Sequence, residues 1–414
     1  MIKSLFGFGI IMVLLLALSL GLYADNEGLY ASRRDFDAED IGRVFLEIES
    51  FNFFRNNEFS GENAFGYTLP GFRLRPNLSL MTSNRTRLSL GVNMIRFFGA
   101  NTYPNGRYMG HSAWMADSYQ NGFHIRPFYR AEFMIGKGLS LVFGSLIRNN
   151  GHRLITPMYY KELNYSSDYE EGIQVLYDSK RLDLDVWLDW ESFVFKNNGI
   201  REMFSLGGSS RFSLIKNDVN DVYLKGGFVG RHIGGEGDSL ISESIENWYN
   251  YSLSIGFARQ VWGLDELGME FSFLGSNNTL GDNAHFGSGF GVYPSLFARG
   301  YGLGVELAYW QSKGYIQLYG NSLFGNVSLQ NPLFRFGTIR LVYLDLEYEI
   351  MDRDSYCFGL DFQLYYHLPY LRKRFETEDF SFTEVNNVDV SSFSFGVFLR
   401  IKPRVRLIKI NSGG

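Results

Sequence analysis

The sequence has little cysteine and no long apolar run beyond its start. A single cysteine, Cys357, excludes a disulfide within the chain, and we interpret it as a small residue in a strand. After residue 24 there is no stretch of about 18 apolar residues, which a membrane-spanning helix would need. The mean hydropathy of −0.12 is also too low for a helical membrane protein. These absences exclude a disulfide-stabilised domain and a helical membrane bundle.

Catalytic and metal-binding motifs are missing as well. The sequence contains no H-E-x-x-H, phosphate-loop or G-x-S-x-G motif, and no pair of ligands has the spacing of a structural zinc site. Gly287, Gly289 and Gly291 alternate along a predicted strand, so we interpret them as packing residues. We therefore expect no metal, no cofactor and no enzymatic activity. The net charge of −5 argues against nucleic acid as a partner.

The first 24 residues are predicted to be a signal peptide. Lys3 supplies a positive start, Leu5–Leu20 is largely apolar, and Ala24 offers a cleavage position. A retained membrane anchor is the alternative, but the apolar segment is short for one. Residues 25–414 then form one domain.

What the sequence does contain is strict alternation. Aromatic residues make up 17% of the chain, and there are 46 glycines. In Arg181–Glu191 apolar residues alternate with mostly acidic ones, Trp187 being the one exception, and in Arg87–Met94 apolar residues alternate with polar residues and glycine. This period of two, in a chain that is polar on average, is typical of strands with one face toward lipid and one toward water.

One segment has the length of a membrane strand. From Tyr356 to Tyr366 every second residue is apolar or aromatic, with a tyrosine at each end. Ten steps of ~3.3 Å, tilted by ~40°, span about 25 Å, which matches the apolar band of a bacterial barrel. We expect Tyr356 and Tyr366 to belong to an aromatic girdle.

The predicted fold is all-β: a transmembrane antiparallel up-and-down β-barrel of about 16 strands. Short turns alternate with long connections, and bacterial barrels have short periplasmic turns and long outer loops. Both termini are therefore expected in the periplasm, with residues 404–414 as a short periplasmic tail. The predicted long loops are 99–124, 150–169, 232–246, 313–333 and 368–389.

Part of the sequence resembles poorly characterised, porin-like outer-membrane barrel proteins of the Bacteroidota. The resemblance lies in Phe53–Leu90, chiefly Tyr67–Gly71 and Arg75–Pro76, and in Tyr319–Phe324. It implies an outer-membrane barrel and no particular substrate. For a barrel in the cell outer membrane, we expect outer-membrane lipid and the barrel-assembly machinery as partners.

Charged residues on the inward parity of the predicted strands form two groups. Charges facing lipid cost up to ~2–4 kcal/mol near the membrane centre, so most should point into the lumen. We expect them to line a pore with oppositely charged walls. The basic group is Arg73, Arg75, Arg87, Arg126 and Arg130; the acidic group is Asp183, Asp185, Asp189, Glu191, Glu266, Glu270, Glu306, Asp345, Glu347, Glu349 and Asp361.

These features favour a porin or substrate-selective channel that passes small polar solutes by passive diffusion. Two alternatives remain open. One is a barrel enzyme that uses histidines near the outer rim, where His111, His152, His232 and His367 are predicted. The other is a surface barrel that binds other proteins through its long loops.

Overall fold

The structure is a computed structural model of the chain. It describes residues 38–98, 123–148, 151–193, 201–234, 245–279, 287–328, 330, 334–374, 383–385 and 391–410, apart from residues 62, 262 and 354. The predicted signal peptide and most of loop 99–124 lie outside the described residues.

Twenty strands account for most of the described chain. In order they are β1 (Arg43–Glu58), β2 (Tyr67–Ser83), β3 (Thr86–Phe97), β4 (His124–Gly136), β5 (Leu139–Ser145), β6 (Glu171–Asp178), β7 (Leu182–Ser192), β8 (Met203–Lys216), β9 (Asn220–Ile233), β10 (Glu246–Val261), β11 (Leu264–Thr279), β12 (Ser288–Gly300), β13 (Leu303–Lys313), β14 (Phe334–Phe336), β15 (Thr338–Arg353), β16 (Tyr356–His367), β17 (Tyr370–Arg374), β18 (Thr383–Val385), β19 (Ser391–Ile401) and β20 (Arg404–Lys409).

Seventeen of these strands form one closed antiparallel sheet. Each barrel strand pairs with the next one along the chain, and β19 and β20 together close the barrel on β1. Because β19 and β20 pair with successive parts of the same strand, they occupy one position, and the barrel has sixteen positions. The predicted fold class is confirmed.

The alternating sequence explains the two surfaces of the wall. Side chains on the outer face are apolar and uncovered, with Leu90 and Leu253 each 65% exposed. The inner face carries the polar and charged residues, such as Arg73, Asp185 and Gln363, and these are buried. This arrangement suits a barrel with lipid outside, because an apolar side chain that contacts lipid carries no free-energy penalty of exposure to water.

The end of the chain differs from the prediction. Instead of an unpaired tail after Pro403, β20 pairs with β1 from Arg43 to Glu47. Proline lacks the N–H that a continuous ladder needs, so the closing strand is interrupted there and resumes beyond it. The closing strand is therefore longer than its alternating sequence indicated.

Gly287, Gly289 and Gly291, which we interpreted as packing residues, differ in how closely their neighbours approach. A Cβ at Gly291 would lie 2.2 Å from the Trp310 ring, and one at Gly289 would lie 2.0 Å from the Gly314 carbonyl oxygen. These two glycines are packing residues, as predicted. Gly287 has open space around it, so the interpretation is wrong for that position.

Two connections fold into the barrel instead of extending outward. We call residues 151–170, between β5 and β6, and residues 314–328, between β13 and β14, the plug. The first contains a short helix, Leu163–Ser166. The two parts meet where the Tyr160 N–H donates to the Tyr319 carbonyl oxygen at 2.9 Å.

The plug contacts strands around most of the barrel. Glu162 accepts hydrogen bonds from Asn57 of β1 at 2.9 Å and from Tyr67 of β2 at 2.7 Å. On the far side Asn250 of β10 donates to the Ile316 carbonyl oxygen at 2.7 Å. Asn321 donates to the Tyr365 hydroxyl of β16 at 3.1 Å. Backbone polar groups in these loops must be satisfied when buried, and the inward-facing side chains satisfy them.

A small second sheet made of β14, β17 and β18 lies in the connections near the plug. Within the described residues, no helix is both long enough and apolar enough to span a membrane.

Candidate functional site

The five predicted basic residues lie on the inner face of β2, β3 and β4. Four of them, all but Arg126, are nearly fully buried. Arg73 donates to the carbonyl oxygens of Asn164 and Ser167 in the plug. Arg126 pairs with Asp168 at 3.1 Å and with Glu171 at 3.2 Å. Arg73 and Arg126 thus hold the plug as well as facing the lumen.

The acidic residues also lie on the inner face, each near a cation or a donor. Asp361 pairs with Arg55, and Asp345 and Glu347 both bind Lys161 of the plug. The remaining ion pairs and hydrogen bonds are Asp183–Arg153, Asp185–His152, Asp189 with the Glu171 N–H, Glu191–Arg231, Glu266–Arg299, Glu270–Lys225, Glu306 with the Tyr293 hydroxyl, and Glu349–Arg400.

The cations that lie on the acidic side of the barrel were not identified from the sequence. Lys225 lies on β9, Arg231 on the same strand, and Arg400 on β19, each beside a carboxylate. They follow the same inward parity, so the alternation could have found them. They neutralise much of the acidic wall, and the field between the walls is weaker than two separate groups would give. That these residues line a conducting path stays a prediction.

His152 lies deep in the barrel and binds two carboxylates. Its Nδ1 lies 2.9 Å from Asp185 and its Nε2 bonds to Glu170. The ring stacks on Trp187, with 3.8 Å between centroids. Burial opposes its charge, but the carboxylates of Glu170 and Asp185 outweigh that effect and raise the pKa of His152 to about 9. Because both ring nitrogens donate, this histidine is a structural cation and not a base.

His367 and His124 are also engaged inside the barrel. His367 is buried, and its Nε2 lies 3.1 Å from the Leu323 carbonyl oxygen of the plug. His124 lies 3.0 Å from Asp168, which Arg126 also contacts. His111 and His285 lie outside the described residues.

His232 differs from these three because its ring lies on the outer face of the wall. It is the next-to-last residue of β9, at the barrel end that carries the long connections. Its Nδ1 lies 2.7 Å from Oδ1 of Asn247, which is its pairing partner on β10. With the Asn247 amide oxygen placed toward Nδ1, an atom that can only accept, Nδ1 carries the proton and Nε2 is left as the basic nitrogen of the neutral ring.

Aromatic rings continue the row from His232 across the wall. Phe204 of β8 stacks on His232 with centroids 4.9 Å apart, and Trp190 of β7 stacks on Phe204 at 5.2 Å. We call Trp190, Phe204, His232 and Asn247 the rim row. It presents one oriented imidazole among apolar rings, at the edge of the lipid-facing surface.

The closed wall, the apolar exterior and the aromatic rim define an integral outer-membrane β-barrel. The sequence model of the family described as "Lipid A 3'-O-deacylase-type" matches residues 36–410, nearly the whole chain. The chain belongs to this lipid A 3'-O-deacylase-type family. No curated protein matches the chain by sequence.

Family membership corrects one prediction and limits another. The expectation that the chain is not an enzyme is wrong, because its family is a deacylase family. The sequence carries none of the short catalytic motifs named above, so it gave no local sign of this activity. The resemblance to outer-membrane barrel proteins is confirmed, whereas a Bacteroidota origin stays a prediction.

Several solved outer-membrane proteins have a similar overall shape. OccAB1 of Acinetobacter baumannii is 8% identical, with a TM-score of 0.49 over 91% of this chain and 100% of that one. OpdK of Pseudomonas aeruginosa is 11% identical, with a TM-score of 0.47 over 88% and 100%. OmpT of Vibrio cholerae, in its trimer form, is 10% identical, with a TM-score of 0.46 over 88% and 100%. Similarity this distant says nothing about activity.

Proposed function

We propose that this barrel hydrolyses an acyl ester of an outer-membrane lipid of the lipid A class, with His232 as the general base. The observation that carries the proposal is the His232–Asn247 pair on the outer face. Family membership supplies the reaction type: removal of an ester-linked acyl chain.

The position of the rim row suits a lipid ester. Ester bonds of membrane lipids lie between the polar headgroups and the acyl chains, at the level where barrels carry their aromatic girdle. Trp190, which is 40% exposed, and Leu206, which is 46% exposed, offer apolar surface next to His232 for acyl chains. A substrate could reach the imidazole by diffusing within the membrane, without entering the lumen.

The chemistry follows from the orientation of the ring. Nε2 of His232 takes a proton from a water molecule as the water oxygen attacks the acyl carbonyl carbon. The bond to the sugar oxygen then breaks, and that oxygen receives the proton from the imidazolium, which leaves a free fatty acid and a sugar hydroxyl. Asn247 keeps Nδ1 protonated, so that Nε2 stays available as the base.

A channel for small polar solutes has less support. The plug joins strands on opposite sides of the barrel, through Glu162 on one side and Asn250 on the other. Most of the charges that we expected to line a pore are paired with an opposite charge or bound to the plug. Conductance in a planar bilayer distinguishes the two functions, because a hydrolase with a filled lumen needs no open path.

The test is release of fatty acid from lipid A by the purified barrel in mixed micelles, followed by mass spectrometry. We expect His232→Gln to lower the rate by about 10²–10⁴-fold, the usual contribution of a general base. Asn247→Leu should lower it by a smaller factor. Tyr251→Phe, on the same outer face of β10, is the matched control and should retain full activity.

Two results would contradict the proposal. Unchanged activity in His232→Gln would remove this residue from the reaction. A wild-type barrel that releases no fatty acid from any lipid ester, yet conducts ions steadily, would favour the channel.

A further inference from the structure

A small cavity lies between the plug and the wall, and its lining is strongly basic. The wall contributes side chains from β2 and β4, and the remainder comes from residues 146–148, just after β5, and from the plug. Its polar lining consists of Arg73, Arg75, Arg130, Arg148, Asn164 and Tyr169. The cavity encloses about 10 Å³, which is about the room that one water or one monatomic ion requires.

The guanidinium groups around this cavity are close together. Arg73 and Arg75 both lie over the Tyr169 ring, each 4.6 Å from its centroid. Arg75 and Arg130 both lie over the Phe128 ring, at 4.8 and 5.2 Å. Like charges at such separations, shielded from water, repel one another strongly. The rings reduce the repulsion but carry no net negative charge.

Carboxylates compensate only part of this charge. Arg75 pairs with Glu49, and Arg148 pairs with Glu170 at 3.0 Å. Arg130 instead donates to two backbone carbonyl oxygens, those of Ser145 at 2.6 Å and Leu146 at 2.7 Å. Among the described carboxylates, none comes within ion-pair distance of Arg130, which is 6% exposed. Glu132 and Glu47 act on Arg130 only from beyond that distance, and a buried cation without a paired counterion is costly.

Two further hydrogen-bond donors in the cavity lack acceptors. Asn164 is fully buried; its Oδ1 accepts from the Tyr159 hydroxyl at 3.0 Å, but its Nδ2 has no acceptor within the described part of the chain. The same is true of the buried Tyr169 hydroxyl oxygen. An unsatisfied buried donor costs about 1–3 kcal/mol. Positive charge and donors without an acceptor together favour a negatively charged acceptor.

We propose that this cavity binds one monatomic anion, chloride under cellular conditions. The anion accepts hydrogen bonds from Asn164 and Tyr169 and balances the charge of Arg130. Since Asn164 and Tyr169 belong to the plug and Arg130 to β4, the anion fastens the first part of the plug to the wall at β4. The cavity is too small for phosphate or sulfate. This site is independent of the rim row and of the proposed hydrolysis.

The test compares thermal unfolding of the purified full-length protein in potassium chloride and in potassium gluconate at equal ionic strength. Equal ionic strength keeps general screening the same, so a difference reports binding. We expect the unfolding temperature to rise saturably with chloride, and bromide to substitute for it. Crystals soaked in bromide should show an anomalous peak between Arg130 and Asn164.

Substitution of Asn164 provides the second arm. Asn164→Asp places a carboxylate in the cavity, so this variant should be stable in gluconate and insensitive to chloride. Asn217→Asp adds the same charge in an exposed turn and should keep the chloride dependence of the wild type.

Equal unfolding temperatures of the wild type in chloride and gluconate would overturn the proposal, as would a bromide peak found only elsewhere. A chloride effect that persists unchanged in Asn164→Asp would also overturn it. Stronger stabilisation by sulfate or phosphate than by chloride would show that the site is not one for a monatomic anion.

Discussion

Replacing His152 tests whether the plug is held by a buried imidazolium. His152→Gln keeps hydrogen-bonding capacity but removes the positive charge between Glu170 and Asp185. The pKa of His152 rises from 6.5 to about 9 in the folded protein. At 1.36 kcal/mol for each pKa unit, the charged ring stabilises the fold by about 3 kcal/mol. Removing one partner of a buried ion pair costs a similar amount, about 3–5 kcal/mol.

The pH dependence of this contribution has a definite sign. The folded-state pKa is higher than the unfolded one, so the stabilisation is complete below pH 6.5. It declines as the pH rises and is lost above the folded pKa of about 9. The wild type and His152→Gln should therefore differ by about 3 kcal/mol at pH 6 and much less at pH 10.

The assay is urea unfolding in lipid vesicles, with the free energy of unfolding measured at both pH values. His232→Gln is the control, because His232 is half-buried on the outer face and has no carboxylate partner in the described residues. A difference between the wild type and His152→Gln that is small at pH 6, or the same at both pH values, would refute the imidazolium.

Two further predictions concern the lumen and the orientation of the barrel. The wild type should pass little current in a planar bilayer, whereas deletion of 314–328 should open a path. In that deletion variant, neutralising Arg73, Arg75 and Arg87 should shift ion selectivity toward cations. Unchanged reversal potentials at low salt would show that these three arginines do not line the path. A cysteine at Ser288, exposed at the end with the long connections, should be labelled in intact cells, whereas one at Asn217 should require a permeabilised outer membrane. The reverse labelling pattern would place both termini outside.

The barrel itself could be predicted from the sequence because each strand carries its own signal. A strand between lipid and a polar interior must alternate, and residues such as Leu88 and Leu90 show this without any knowledge of their neighbours. The number of strand positions, about sixteen, followed from this signal. The length of the closing strand was underestimated because the alternating pattern stops at Pro403, whereas the pairing with β1 resumes after it.

The plug could not be predicted, because nothing local distinguishes a loop that folds inward from one that extends outward. Residues 150–169 and 313–333 were expected to be outer loops, yet His152 and Asn321 are buried. Their burial depends on partners far away in the chain, such as Asp185 and Tyr365. The rim row was partly foreseen: His232 was a candidate, but its pairing with Asn247 depends on the register between β9 and β10.

The seam between the first and last barrel strands sets an order for folding. Residues 50–58 of β1 pair with 393–401 of β19, so the wall stays open until almost the whole chain is available. The plug comes from the middle of the chain and ends up enclosed. Closing the seam first would leave the two plug segments to enter through the mouth of a finished barrel. We expect them instead to settle against β1 and β2 while the side of the barrel is still open.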